Sequence, residues 1–358
     1  MNRIICAAML GSFLLLPLAC GPSNNNDKGS TGDKPRLNGG GSTFVFPMMS
    51  KWAAVYEKDK GIQVNYQSIG SGGGIQKFTS KEFEFGCSDA YLNEEQMEKA
   101  KKSGGELVHI PLVLGAVVPV YNLSEIDDTL QLTGPLLADI FMRKITKWDD
   151  DRIKAINPKI TGKLPAKNIV VVHRSDGSGT THIFADYLAK VSPEWKKDVG
   201  VSTSLKWHDD TVGAKGNEGV AGQVKLQSGS IGYIEMTYAL QNQLKFASVE
   251  NQEKQFILAS LESTTKAADN SLTNIPDDLR YSITNAPGKG AYPVCGSVWA
   301  LLFVQQSGAK GDETVKFLRW VTREDGGQKY CKELHYAPLP KGLAERVDKM
   351  LAKVSVTK

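Results

Sequence analysis

The chain has 358 residues, 41% of them hydrophobic, which is enough to bury a sizeable core and long enough for about two domains at ~150 residues each. Its 43 Lys+Arg and 39 Asp+Glu leave a formal net charge of +4, spread along the sequence rather than gathered into a stripe, which argues against nucleic acid as a partner. Charged residues at 23% and aromatics at 8% argue against disorder of the whole, and no apolar run after the N-terminal one could span a bilayer.

The N-terminus starts with Asn2-Arg3, continues through an almost wholly apolar Ile4 to Leu18, and reaches Leu16-Pro17-Leu18-Ala19-Cys20. That order of basic start, apolar run and small residue before a cut predicts a signal peptide over 1–19 and a lipid on Cys20. Pro17 and Leu18 depart from the usual lipobox, so an ordinary signal peptide with an incidental Cys20 is the alternative. Gly21 to Lys34 is rich in Gly, Ser, Asn and Asp without periodicity, and a flexible tether is expected over 20–37. Of the five cysteines, removal of Cys6 and acylation of Cys20 leave Cys87, Cys295 and Cys331. A Cys295–Cys331 bridge and buried free thiols both remain open, and no spacing suits a metal.

Further along, Gly39-Gly40-Gly41-Ser42-Thr43-Phe44 precedes a helix expected near Pro47, whose stripe of Met48, Met49, Trp52, Val55 and Tyr56 ends at Gly61. Ile62-Val64-Tyr66 alternates as a strand, and Gly70-Ser71-Gly72-Gly73-Gly74 leads to a helix expected near Ile75. Phe85 to Ala90 places Asp89 after a short apolar stretch. Asn168 to Val172 is a continuous apolar run, typical of a strand buried on both faces. Arg174-Ser175-Asp176-Gly177-Ser178-Gly179-Thr180-Thr181 follows, before a helical stripe of Ile183, Phe184, Tyr187, Leu188 and Val191. The polar segment Ala259 to Tyr281 reads as a surface excursion, and Thr314 to Glu324 as a helix closed by Gly326-Gly327. Alternating strands and helices predict an α/β fold with largely parallel sheets.

The chemistry lies in the three Gly/hydroxyl clusters. Each is expected at a helix N-terminus, where unpaired N–H groups and the positive end of the helix dipole favour an anion. One such loop is also ordinary capping. Three together, one carrying Arg174 with its fixed and always-charged donor fork, point to an oxyanion. Asp89 is out of place beside an anion unless the ligand has a proton to donate, because a carboxylate only accepts hydrogen bonds. Nucleotide and hydrolase signatures fail. There is no G-x-x-x-x-G-K-[ST], Ile75 replaces the last glycine of G-x-G-x-x-G, and Gly177-Ser178-Gly179 is not a G-x-S-x-G elbow. Ser307-Gly308-Ala309-Lys310 matches S-x-x-K without its companion motifs. His109, His173, His182, His208 and His335 are scattered and read as structural or surface residues, so no catalytic residue is assigned.

The segments GGGSTFVFPMMSKW, VNYQSIGSGGGIQKF, FEFGCSDAYL, VVVHRSDGSGTTHIF, KGNEGVAG and GSIGYIE closely resemble the periplasmic phosphate-binding protein of the phosphate ABC transporter, from about Leu37 to Pro340. ITKWDD at 145–150 and YAPLP at 336–340 extend the resemblance. It implies a two-lobed periplasmic-binding-protein fold, each lobe a mainly parallel sheet flanked by helices, joined by a hinge and closing on one phosphate. The implied lobes are 38–115 with a return segment and C-terminal helix at 289–358, and 116–288, with Pro111 to Val120 and Asn285 to Val294 as the crossings. Position by position, the resemblance makes Thr43, the Phe44 backbone N–H, Ser71, Arg174, Ser178, Gly179 and Thr180 phosphate ligands. Asp89 becomes the acceptor for the phosphate proton, and Asp176 the acid that orients Arg174. Cys87 and Ser175 depart from the family pattern at positions that are not ligands.

The implied function is capture of inorganic phosphate outside the cytoplasmic membrane and delivery to the permease and ATPase subunits of an ABC transporter. The bearer would be a monomeric, membrane-anchored lipoprotein of the periplasm or cell surface, without cofactor, metal or enzymatic activity. A receptor for sulfate or molybdate and a secreted phosphatase are the alternatives. The first should lack an acceptor such as Asp89, and the second needs a metal cluster or a nucleophile with its base.

Overall fold

A computed structural model describes residues 35–271 and 275–358. The expected signal peptide, Cys20 and the expected tether up to Lys34 lie outside the described residues. Leu37, expected as the last tether residue, is instead fully buried as the first residue of a strand, Leu37–Gly41.

A nine-stranded sheet runs through Pro35–Lys358, which forms one compact unit. Its centre is Leu107–Tyr121, a strand of 15 residues buried from end to end. The first part of this strand pairs antiparallel with Cys295–Phe303, and from Val117 onward it pairs antiparallel with Ser230–Glu235. Partner exchange falls between Ala116, opposite Cys295, and Val117, opposite Glu235. Each side then continues into a wing. Phe85–Ser88 joins Cys295–Phe303 and pairs parallel with Leu37–Gly41, which pairs parallel with Val64–Ser68. On the other side Val170–Arg174 pairs parallel with both Ser230–Glu235 and Val212–Ala214. The expected parallel pairing therefore holds in the wings, while the centre is antiparallel. Register slips between Val298 and Trp299, opposite Pro111 and Val113, where proline has no N–H to give the ladder.

The three expected stripes are core except at Val55 and Val191, which are half-buried. Phe46–Lys60 buries Met48, Met49, Trp52 and Tyr56 and ends at Gly61, whose left-handed φ of 67° turns its N–H onto the Glu57 carbonyl. Gly179–Val191 buries Ile183, Phe184, Tyr187 and Leu188. The third helix is longer at its start and shorter at its end than expected, Gly308–Thr322, because Arg323 already turns to extended backbone before the glycines are reached.

Two readings need correction. The helix after the second glycine cluster is Ser71–Thr79, so Gly72 to Gly74 lie in its first turn rather than ahead of it. The segment 259–281 is not a surface excursion, since it holds a helix, Leu261–Ser271, that buries Ser263, Thr264, Ala267, Ala268 and Ser271. The hydroxyls of Thr264, Thr265 and Ser271 donate to carbonyls four residues back, at 2.8, 2.8 and 2.9 Å. Polar side chains that satisfy themselves on their own helix pack without leaving an apolar stripe to read. The question of the cysteines also closes: Cys87, Cys295 and Cys331 are buried free thiols.

Candidate functional site

The loops after the inner wing strands bring polar side chains together at one buried place between the wings, the candidate chamber. Leu37–Gly41 delivers Ser42, Thr43 and Phe44, and Phe85–Ser88 delivers Asp89. Beyond Val64–Ser68 the chain turns at Gly70, with φ of 83° and its N–H on the Gly41 carbonyl at 2.8 Å, so that Ser71 opens its helix at the same place. From the opposite wing, Val170–Arg174 delivers Arg174 and the turn through Asp176 to Ser178. Ser178 caps the next helix by accepting from Thr181 N at 3.0 Å, which places Gly179 and Thr180 in its first turn.

Every ligand position expected from the sequence is buried here. Phe44, Ser178 and Thr180 are fully buried, and Ser71, Thr43, Asp89 and Arg174 are 1%, 2%, 2% and 4% exposed. Arg174 donates Nε to Asp176 Oδ1 at 2.8 Å and Nη2 to Asp176 Oδ2 at 2.6 Å, a two-point bond that fixes the guanidinium plane. Gly216 N adds a third donor to Asp176, at 3.0 Å. Burial by itself would raise the Asp176 carboxyl, but the bond and charge of Arg174 outweigh it and hold the group below its ordinary value. The remaining guanidinium nitrogen, Nη1, reaches Thr180 Oγ1 at 3.4 Å.

Asp89 faces Arg174 through Thr180. Its Oδ2 accepts from Thr180 Oγ1 at 3.3 Å and its Oδ1 accepts from Ser42 Oγ, while its own N–H donates to Ser71 Oγ at 3.2 Å. Desolvation pushes this carboxyl up to about 7; the Ser42 bond, the Arg174 charge and the Thr180 bond pull it down without cancelling burial, and Asp176 adds to the rise. The chamber thus holds a fixed cation, a ring of hydroxyls, and one carboxyl that gains or loses a proton near neutrality.

The two wings touch around it. Gly72 N donates to the Gly177 carbonyl at 2.8 Å and Tyr238 OH to the Thr43 carbonyl at 2.6 Å. A Cβ on Gly179 would lie 2.6 Å from both Asp89 Cβ and Ser71 Oγ, so only glycine lets the backbones approach this closely.

Sequence reasoning missed several participants. Asn217 sits in KGNEGVAG, fully buried, with Nδ2 donating to Thr43 Oγ1 at 2.7 Å and to Thr180 Oγ1 at 3.1 Å. Ser42 stands beside Thr43 in the first cluster, yet nothing in the sequence marks it as a partner of Asp89. Tyr233, in GSIGYIE, receives Arg174 N on its hydroxyl at 3.3 Å and shares a bond with Thr181 Oγ1 at 2.7 Å. Behind Asn217, the fully buried Glu235 accepts from Tyr336 OH at 3.1 Å and Thr237 N at 2.9 Å, and desolvation pushes its carboxyl up to about 8. The motifs containing these residues are visible in the sequence, but a carboxamide or phenol in a motif does not announce its partners. Ser175, one of the departures, donates its N–H to the Ala214 carbonyl at 3.0 Å, within the strand pairing. His109 is buried with Nε2 accepting from Leu92 N at 3.1 Å, a structural role. Among the described residues no group of three or more His, Cys, Asp and Glu could hold a metal, and no helix is long and apolar enough to cross a membrane.

A family profile described as a PBP superfamily domain matches residues 27–325. The chain is 42% identical over 345 residues to the phosphate-binding protein PstS of Xylella fastidiosa (strain Temecula1), with 92% of each covered. It is also 42% identical over 306 residues to the phosphate-binding protein PstS of Haemophilus influenzae, covering 85% of this chain and 89% of the relative. Among solved structures, a high-affinity periplasmic phosphate-binding protein with phosphate bound at pH 8.5 superposes with a TM-score of 0.70 at 20% identity, over 88% of this chain and 93% of the other. The phosphate-binding protein from Stenotrophomonas maltophilia gives 0.67 at 19% identity, over 88% and 94%. At such identities these structures speak for the fold.

Proposed function

We propose that this chain, which belongs to the family of the phosphate-binding protein PstS within the PBP superfamily, binds inorganic phosphate outside the cytoplasmic membrane and delivers it to an ABC permease for import. The observation that carries the reading is the buried pairing of Arg174 with Asp89 through Thr180 in a hydroxyl-lined chamber. Arg174, Thr43, Ser71, Ser178, Thr180 and the N–H groups of Phe44 and Gly179 would donate to phosphate oxygens. Asp176 would keep the arginine fork aimed, and Asp89 would accept the proton that phosphate retains at neutral pH. A site built for sulfate or molybdate would gain nothing from a buried acid, which is why phosphate is favoured over them.

The ligands divide between two lobes, 38–115 with 289–358 and 116–288. In support, the central strand changes partners between Ala116 and Val117, and Thr43, Ser71 and Asp89 fall on one side of it with Arg174, Ser178 and Thr180 on the other. A ligand touching both sides favours the arrangement in which they meet, so binding should close a hinge. The chain acts as a monomeric receptor rather than an enzyme, anchored by a lipid on Cys20.

Calorimetric titration of the mature chain with phosphate, arsenate and sulfate at pH 8 tests the reading. Phosphate should bind tightly, arsenate should compete for the same site, and sulfate should bind weakly. No binding heat with phosphate, or preference for sulfate, would overturn it.

A further inference from the structure

Asn217 lies in the first turn of a further helix that opens at the chamber, Gly216–Leu226, and like Asp89 it joins hydroxyls from the two wings. Its orientation is fixed by the protein. Glu235 N donates to Asn217 Oδ1 at 2.9 Å, so the oxygen faces the strand and the amide hydrogens face the chamber. One of those hydrogens goes to Thr43 Oγ1 and the other to Thr180 Oγ1.

The consequence for the threonines follows from their capacity. A hydroxyl has one proton to give and room for about two donors. Thr43 Oγ1 receives both Asn217 N at 3.2 Å and Asn217 Nδ2, so its acceptor positions are filled and its proton must be given elsewhere. Thr180 Oγ1 receives Asn217 Nδ2 and Arg174 Nη1, and it gives its proton to Asp89. Both hydroxyls are therefore set as donors before any ligand arrives, Thr180 toward Asp89, so a bound oxyanion has only to take over that proton while Asp89 turns to the proton the ligand brings. Water in the same places would have to reorient at each binding event. The bond to Thr43 also crosses from one wing to the other, so this setting is complete only when the wings are together.

We infer that Asn217 is a positioning residue for oxyanion capture: it fixes Thr43 and Thr180 as hydrogen-bond donors and couples that setting to the meeting of the two wings. This rests on the phosphate-binding reading above.

The test is a set of phosphate titrations on the mature chain with Asn217→Ala, Asn217→Asp, Thr43→Val and the paired variants, each first checked by thermal melting without ligand. Asn217→Ala and Thr43→Val should each weaken phosphate binding at least ~10-fold, and the pair should be no more than about threefold weaker than the worse single variant, because the two residues act as a unit. Asn217→Asp keeps the side-chain shape and the bond from Glu235 N but turns its chamber face from donor to acceptor. It should bind phosphate more weakly than Asn217→Ala, and adding Thr43→Val to it should cost less than about threefold further. That second comparison removes simple charge repulsion, which Thr43→Val would not alter. Independent, multiplicative losses from the two residues would overturn the inference, as would Asn217→Asp binding phosphate like the unchanged protein. If Asn217→Ala does not fold, the Asn217→Asp series decides. Failure of the unchanged protein to bind phosphate would overturn the functional reading as well, whereas tight binding with indifferent variants would overturn this inference alone.

Discussion

Sulfate carries no proton between pH 5 and 9, so its affinity for this site should report the protonation of Asp89. Two routes are open to a bound sulfate. It can face the ionised carboxylate, at a cost on the order of 4 kcal/mol for charges ~4 Å apart at an effective dielectric near 20. Alternatively, Asp89 can take up a proton first. With its carboxyl already pushed up to about 7 by burial, that costs little at neutral pH and about 1.4 kcal/mol for each pH unit above it. Protonation is the cheaper route until the pH lies about three units above 7. Sulfate affinity should therefore be level below pH 7 and fall about tenfold per unit above it, some thirtyfold by pH 8.5. Monohydrogen phosphate brings its own proton to the ionised carboxylate, so its affinity should stay nearly level over the same alkaline range. Selectivity for phosphate is then strong at pH 8.5 and weak at pH 6. Asp89→Asn should remove the slope, giving a sulfate affinity close to the acid limb of the unchanged protein while weakening phosphate. Isothermal titration at half-unit pH steps, at constant ionic strength, measures both curves. A level sulfate curve in the unchanged protein, or a slope that survives in Asp89→Asn, would refute the reasoning.

Gly179→Ala should leave the ligand-free fold intact but weaken phosphate binding at least ~100-fold, since its Cβ would meet Asp89 Cβ and Ser71 Oγ at 2.6 Å; small-angle scattering should then show no compaction with phosphate. Glu235 is held in the fold with a carboxyl pushed up to about 8 by desolvation, so the folded state keeps a proton that the unfolded chain loses near its ordinary 4.5. Stability of the ligand-free protein should fall as pH rises from about 4.5 to about 8, by a few kcal/mol in order of magnitude, and thermal melts of Glu235→Gln should show a shallower fall. Some slope should remain, because Asp89 acts with the same sign between 3.8 and about 7. Cys20→Ser should move the protein from the membrane to the soluble fraction on cell fractionation; an unchanged protein without lipid mass on its N-terminus would defeat the anchor.

The wings of the fold were legible because buried parallel strands and capped helices write themselves as apolar runs, stripes and Gly-rich turns. Val171 and Val172, and Met48, Met49, Trp52 and Tyr56, are core for that reason. The antiparallel centre was not legible. Leu107–Tyr121 is apolar throughout, which fits burial on both faces whatever the direction of its neighbours, and nothing local says that it exchanges partners between Ala116 and Val117. Leu261–Ser271 was missed from the opposite cause, since its hydroxyls satisfy themselves on the helix and leave polarity as a poor guide to burial.

In the site, what could be read was what each residue type does alone. An arginine in a Gly/Ser turn needs an anion, and an acid near that turn needs a proton from it. Arg174 and Asp89 were therefore visible as a pair of complementary demands, although 85 residues separate them along the chain. What could not be read was the polarity of the hydroxyls between them. Ser and Thr give or accept as their neighbours require, so Thr43 and Thr180 become donors only when Asn217, over 30 residues beyond Thr180, turns its amide toward both. That orientation depends on a backbone N–H at Glu235, where the central strand meets its second partner. The antiparallel pairing that the apolar run concealed is thus the feature that fixes the donor pattern of the chamber, and the two gaps in reading the local pattern have one physical source.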